Sequence, residues 1–391
     1  MKTIRILGAR GLILATALGV SIGFASPAFA QAVPRPVIVN PDGEVTYLGA
    51  LGGPFSEARG INDSGQVVGY TVNSSVHAFI TGPDGMGMTD LGTLGGSGSY
   101  SDAFGVNDSG QVVGYSQTAD FSQHTFITGP DGMGMTDLGT PVGAFNGVFS
   151  IARGINGSGQ VVGSYETVDF SQHAFITGPD GMGMTELGTL GAPFTTASDV
   201  NDSGQVVGQS NTGHGSFHAF ITGPNGVGMT DLGTLGGRES YATGINDSGQ
   251  VVGSSETADG SQHAFITGPD GMGMTDLGTL GGSDSYAYGI NDSGQVVGDS
   301  WTADSSQHAF ITGPDGMGMT DLNSIADLPD ERYLHNAQGI NNEGQVIATA
   351  SVSTIPEPAS YALMLAGLGL VGFMARSKKQ VAQVSCTPAP V

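Results

Sequence analysis

Five aspartates, Asp63, Asp108, Asp202, Asp247 and Asp292, each follow an asparagine in a recurring Asn-Asp-Ser-Gly phrase. Five more, Asp84, Asp131, Asp180, Asp270 and Asp315, sit in a recurring Pro-Asp-Gly. Turn carboxylates are the ligand type calcium takes, but a calcium loop spaces them at alternate positions and closes with a glutamate. Asn-Asp-Ser-Gly has no such alternation. Asp and Asn also favour turns by bonding their own backbone, so these residues are read first as turn formers. No cofactor or metal is expected; loose calcium binding at Asp63, Asp108, Asp202, Asp247 and Asp292 is the alternative.

Six histidines, His77, His124, His173, His218, His263 and His308, open a second phrase, His-Ala-Phe-Ile-Thr, with Thr125 in place of alanine after His124. A zinc site needs its ligands about 2 Å from one ion. Equivalent residues on stacked sheets lie roughly 10 Å apart. Each histidine is therefore expected to open a strand and bond a nearby carbonyl, with no metal. Catalysis needs unlike groups converging once, whereas these units supply the same groups again and again. The singular residues are Arg153, His214, Arg238, Glu239, Trp301, the insertion from Pro141 to Ile151, and the segment from Asn323 to Gln338. His214 or His335 with a nearby acid is the only enzymatic composition they offer. No catalytic residue is assigned and no enzyme is expected. Methionines such as Met272 and Met274 read as flexible gap fillers.

These residues are carried on a repeat. The unit Gly244 to Tyr288 is 45 residues long and begins again at Gly289. Its asparagine recurs seven times, at Asn62, Asn107, Asn156, Asn201, Asn246, Asn291 and Asn341. Within a unit, Ala-x-Gly-Ile-Asn is a strand, Asn246 to Gly249 a turn, and Gln250 to Gly253 its β-branched partner. His263 to Thr267 is a third strand. Pro269-Asp270-Gly271 turns the chain, with proline at the first corner and glycine in the left-handed position, and Met274 to Leu277 returns as a fourth. Four short strands in about 45 residues are one propeller blade. Arg35 to Gly49 reads as the second half of a unit, and Gly339 to Ile347 as the first half of another. The two orphans complement each other, so the fold class is all-β: a seven-bladed β-propeller closed by half-repeats from the two ends. An open β-solenoid is the alternative, but it gives no reason for complementary halves.

Charge narrows the partners. Residues 31–375 hold five arginines, no lysine and all 35 acidic residues, a net charge of −30. Such a surface repels phosphate backbones, which excludes nucleic acid. The single cysteine, Cys386, allows no disulfide within the chain. Lys2, Arg5 and Arg10 precede an apolar run, and Ala28 and Ala30 are the small residues of a secretory cleavage site, placing a signal peptide at 1–30. The repeat body spans 31–354. An uncharged segment, 359–375, would reach about 25 Å as a helix, at the low edge of what spans a bilayer. It precedes Arg376, Lys378 and Lys379, which would stay cytoplasmic with the short tail 380–391.

Pro356-Glu357-Pro358, the apolar segment and the cluster Arg376, Lys378 and Lys379 together resemble the PEP-CTERM sorting signal. The resemblance implies an exosortase-type processing enzyme as partner, a transient inner-membrane anchor, cleavage near the tripeptide and delivery to the envelope or outside. Residues 380–391 continue beyond the basic cluster, where such signals usually stop. The two repeated phrases resemble the HAF-type extracellular repeat family, which implies export in bacteria and brings no catalytic residues. Together these readings lead to an exported, non-enzymatic surface or matrix module, with extracellular polysaccharide or matrix as partner. The alternative is a propeller hydrolase or lyase acting on extracellular polysaccharide.

Overall fold

The computed structural model describes residues 34–49, 51–140, 149–329 and 332–352. The sites expected at Ala28 and Ala30, at Pro356, Glu357 and Pro358, in the span 359–375, and at Arg376, Lys378 and Lys379 lie outside them.

Seven four-stranded antiparallel sheets form a ring. Blades 1 to 6 occupy residues 55–92, 101–139, 150–186, 195–231, 236–276 and 281–321, each running from inner to outer strand in sequence order. Blade 5 shows the pattern: Gly236–Ile245, Val251–Thr257, Gln262–Thr267 and Met274–Asp276. Blade 7 is composite. Its inner strands are Arg332–Ile340 and Val346–Val352, and its outer strands are Arg35–Val39 and Val45–Tyr47. Arg35 to Val39 pairs antiparallel with Val346 to Ala350, in the place that His-Ala-Phe-Ile-Thr takes elsewhere. The half-repeats at the two ends therefore complete one sheet, and the open solenoid is excluded.

The core lies between blades. Val252, Ala264 and Ile266 of blade 5 pack on Ala287, Val296 and Phe310 of blade 6. The phenylalanine of the second phrase is fully buried in six blades, at Phe79, Phe126, Phe175, Phe220, Phe265 and Phe310. The composite blade is gripped on both sides. Its Val37, Val39 and Leu334 meet Val297 and Ala309 of blade 6, while Ile38 and Ile347 meet Val67 and Phe79 of blade 1.

Asn246 to Gly249 turns as the sequence implies, with Gly249 left-handed at φ +75° and its N–H donating to Asn246 O (2.9 Å). The second turn differs from expectation. Proline precedes both corners, Asp270 (φ 53°) and Gly271 (φ 72°) are both left-handed, and Met272 N donates to Pro269 O (3.1 Å). Two left-handed corners match the right-handed twist of the flanking strands, which proline at a corner would oppose. The methionines also divide. Met274 packs against the blade 4–5 core, while Met272 is 73% exposed and fills no gap.

Candidate functional site

A central channel runs through the ring, lined by the inner strands. Every inner strand breaks register at the same place in the repeat. In blade 1, Ala58 pairs with Gly69 and Gly60 with Val68, so Arg59 between them has no partner. The same shift skips Phe104, Arg153, Ser198, Thr243, Tyr288 and Gln338. A β-bulge of this kind bends the strand and re-aims one side chain. All seven bulged residues line the channel. They occupy the x of Ala-x-Gly-Ile-Asn, the one place in that phrase where the blades differ freely in chemistry. A shared scaffold thus displays seven side chains of six types, arginine occurring twice, on one wall. The partner glycine is required by the bulge: a Cβ on Gly253 would stand 1.9 Å from Tyr241 O.

The repeated asparagines hold this wall together. Asn62 Nδ2 donates to Asn107 O (2.9 Å), and equivalent bonds run Asn107 to Asn156 (3.1 Å), Asn156 to Asn201 (3.0 Å), Asn201 to Asn246 (3.1 Å), Asn246 to Asn291 (3.1 Å) and Asn291 to Asn341 (3.1 Å). Asn341 closes the circle on Asn62 O (3.0 Å). Each Nδ2 also donates to the glutamine four residues on, and each Oδ1 accepts that glutamine's backbone N–H, as at Asn246 with Gln250 (2.8 and 2.9 Å). Aspartate could not replace this asparagine, because the amide must donate and accept at once.

The aspartates beside them line the mouth of the channel. Their carboxylates serve the same circle as acceptors. Asp63 N donates to Asp108 Oδ1 (3.0 Å), Asp202 N to Asp247 Oδ1 (3.0 Å), Asp247 N to Asp292 Oδ1 (3.1 Å), and Asn342 bridges Asp63 and Asp292 through Nδ2 (3.0 and 2.9 Å). The belt is interrupted where Gly157 stands in place of an aspartate. Blades therefore approach much more closely here than the 10 Å spacing of stacked sheets, because inner strands converge on the axis. Burial and the neighbouring Asp202, Asp292 and Asp108 push the Asp247 carboxyl up. Among the described residues no three His, Cys, Asp or Glu side chains stand close enough to hold a metal ion.

The histidines do not bond carbonyls. Each Nδ1 meets a carboxylate 13 residues on, in the fourth strand of its own blade: His77 with Asp90 (2.8 Å), His124 with Asp137 (2.8 Å), His173 with Glu186 (2.6 Å) and His263 with Asp276 (2.8 Å). His218 and Asp231, and His308 with Asp321, do likewise. These pairs join outer strands away from the channel and are spread one to a blade.

Three groups of singular residues stand in or beside the channel. On one side Arg59 reaches Asp102 (3.3 Å) and Glu57 (3.6 Å), and Tyr70 Oη donates to Glu57 (2.9 Å). The Arg59 and Arg153 guanidinium carbons lie 4.7 and 5.4 Å from the centre of the Phe104 ring. Burial pushes the Asp102 carboxyl up to about 6 despite Arg59, and burial and the nearby Arg59 push Arg153 down. Asp199 replaces the glycine that follows the bulge in the other blades. It accepts Val200 N (2.9 Å) and Ile245 N (3.2 Å), and enclosure pushes its carboxyl up to about 6. In the third group Asp299 is wholly buried beside Tyr288 and accepts Gln307 Nε2 (2.7 Å). Burial raises its pKa and that of Tyr288, and lowers that of nearby His335. His335 thus does have an acid in its surroundings, whereas His214 lies in an exposed loop. Pro141 and the insertion up to residue 148 lie outside the described residues.

Asp102 and Asp199 set an unusual pH dependence. Both bind a proton more tightly folded than unfolded, where the reference is 3.8. Their contribution is fully present below about pH 4 and is lost as pH rises through about 6. Above that, the ionised groups each cost on the order of 2 kcal/mol. Relative to wild type, Asp199→Ser should gain in urea midpoint as pH rises from about 4 to about 7. A difference that stays flat with pH would contradict this.

Residues 354–379 match the PEP-CTERM protein-sorting motif. The PEP-CTERM motif implies an exported protein sorted by an exosortase. No curated protein sequence matches the chain. Solved structures align with it. A puromycin hydrolase S511A mutant complexed with PGG aligns with TM-score 0.51 at 14% identity, over 74% of this chain and 51% of that one. TolB from Acinetobacter baumannii gives 0.47 at 10% over 73% of this chain and 64% of that one. A putative TolB from Agrobacterium tumefaciens gives 0.46 at 13%, over 72% and 98%. The chain thus spans about two thirds of the first TolB and half of the hydrolase. Among the described residues no helix is long and apolar enough to cross a membrane, and the PEP-CTERM span 359–375 lies outside them.

Proposed function

We propose that this chain is a non-enzymatic binding module of the cell surface or extracellular matrix, delivered by exosortase-type sorting. The signal peptide 1–30 is removed after Ala30. The span 359–375 holds the precursor in the inner membrane with Arg376, Lys378 and Lys379 inside, and cleavage near Pro356 frees the propeller. The likeness of its repeats to HAF-type extracellular repeats agrees with that route. The observation that carries the reading is the ring of bulged residues. Seven copies of one scaffold hold seven side chains of six types toward one channel, an arrangement suited to recognition. The −30 body keeps the released domain soluble through self-repulsion.

Mass spectrometry of the protein released by its native host tests the route. The mature form should begin at Gln31 and lack residues 359–379; retention of that span would contradict the sorting reading. Incubation with extracellular polysaccharide from the same host should give binding without shortened or unsaturated products. The Asp299, Tyr288 and His335 group favours the second reading, a polysaccharide hydrolase or lyase, and product formation abolished by Asp299→Asn would establish it.

A further inference from the structure

Arg153 is the anomaly of the channel. In a body with seven acids for every arginine, it pairs with no carboxylate among the described residues. The charge that acts on it most is another cation, Arg59, which shares the Phe104 ring with it, opposed more weakly by Asp102. Arg59 is balanced by Glu57 and Asp102. Two guanidiniums held beside one ring repel each other, and Arg153 stays exposed to the channel, where water screens part of that repulsion and a ligand can reach it. An anion resting against Arg153 would relieve that repulsion and match the planar fork of its donors.

The rest of the wall, from Ser198 and Asp199 on the next blade round to Thr243 and Gln338, has a different chemistry. Ser198 and Gln338 make no side-chain hydrogen bond among the described residues. Thr243 Oγ1 donates to Ala287 O (2.9 Å), which leaves its oxygen free to accept. Asp199 keeps acceptor capacity beyond its two backbone bonds. These groups suit hydroxyls, and Asp199 would reject a second carboxylate. The channel encloses about 390 Å³, within the range of small-molecule sites.

We infer that the channel binds a small polyhydroxylated carboxylate, of the uronic acid class, with its carboxylate on Arg153 and its hydroxyls on Ser198, Asp199, Thr243 and Gln338. This rests on the binding-module reading and names its ligand. The aspartates at one mouth repel anions, so the acid enters from the opposite face.

Calorimetric titration of the full chain with galacturonate and glucuronate tests the inference, with galactose and acetate as the neutral and hydroxyl-free probes. One or both uronates should bind saturably, and each of the other two at least roughly tenfold more weakly. Arg153→Gln should lose at least roughly tenfold in affinity, with Arg153→Lys between it and wild type, because lysine keeps the charge but not the fork. The melting temperature of Arg153→Gln should equal or exceed that of wild type, since a repulsion is removed, so its loss of binding cannot be ascribed to misfolding. Trigalacturonate separates the sources. Tighter binding than the monomer points to the end of an acidic polymer, and weaker binding to a free sugar acid. Equal binding of galactose, unchanged affinity in Arg153→Gln, or no uptake of either uronate overturns the site while leaving the surface-module reading intact. Conversion of a bound uronate into product would keep the site and overturn the non-enzymatic reading instead.

Discussion

Deleting residues 34–49 is expected to abolish cooperative folding of the whole ring. The deletion removes two strands, but the consequence exceeds their own contacts. Val346–Val352 would become an open edge, and Val297 and Ala309 of blade 6 and Phe79 of blade 1 would lose the side chains of Val37, Val39 and Ile38 that cover them. Those three side chains alone represent on the order of 5 kcal/mol of apolar burial, comparable to the net stability of a domain. Deleting Gly339–Ile347 should do similar damage from the other side, because it removes the inner strand that closes the asparagine circle. Urea unfolding followed by far-UV circular dichroism would show a broad, low-amplitude transition in both. A sharp transition near the wild-type midpoint in either would mean that the ring stands without its composite blade.

The second large effect falls on a single residue. Asn246→Ala should destabilise the protein by about 3 kcal/mol, lowering the melting temperature by roughly 5–10 °C. The side chain is 4% exposed and donates to Gln250 and Asn291 while accepting from Ser248 and Gln250. Alanine leaves those buried partners unmet, which costs more than the bonds contribute net. Asn246→Asp is nearly isosteric yet should do no better. It would aim a carboxylate at two oxygens that now accept hydrogen bonds. Differential scanning calorimetry of both variants checks this; a loss below about 1 kcal/mol in each would reduce the circle to geometry without energetic weight.

The ring was legible in the sequence because its evidence is additive. A 45-residue period and two complementary fragments survive any error in individual strands. The site was less legible, since what selects a channel residue is a register shift, and register depends on hydrogen bonds between strands. Arg153 and the segment ending at Gln338 stand out as unusual in the sequence, but Phe104, Ser198 and Thr243 do not. The signal was available: within Ala-x-Gly-Ile-Asn x changes character from blade to blade, and the one other such change is Asp199 in place of glycine. The histidine partners were also within reach, because each carboxylate stands 13 residues beyond its histidine in all six copies. The asparagine circle was not. It exists because seven inner strands converge on an axis, and a spacing argument based on stacked sheets places those residues too far apart.

Oxidation of a paired-cysteine variant tests the closed ring most directly. Arg35 and Ala350 are opposite one another in the composite blade, and directly paired strand residues have a separation that a disulfide spans. With Cys386→Ser in the background, Arg35→Cys/Ala350→Cys should oxidise to a monomer with one cross-link between peptides from the two ends. Its melting temperature should exceed that of the reduced form. Cross-links that form only between molecules, or thiols that remain free under oxidant, would contradict a blade shared by both ends of the chain.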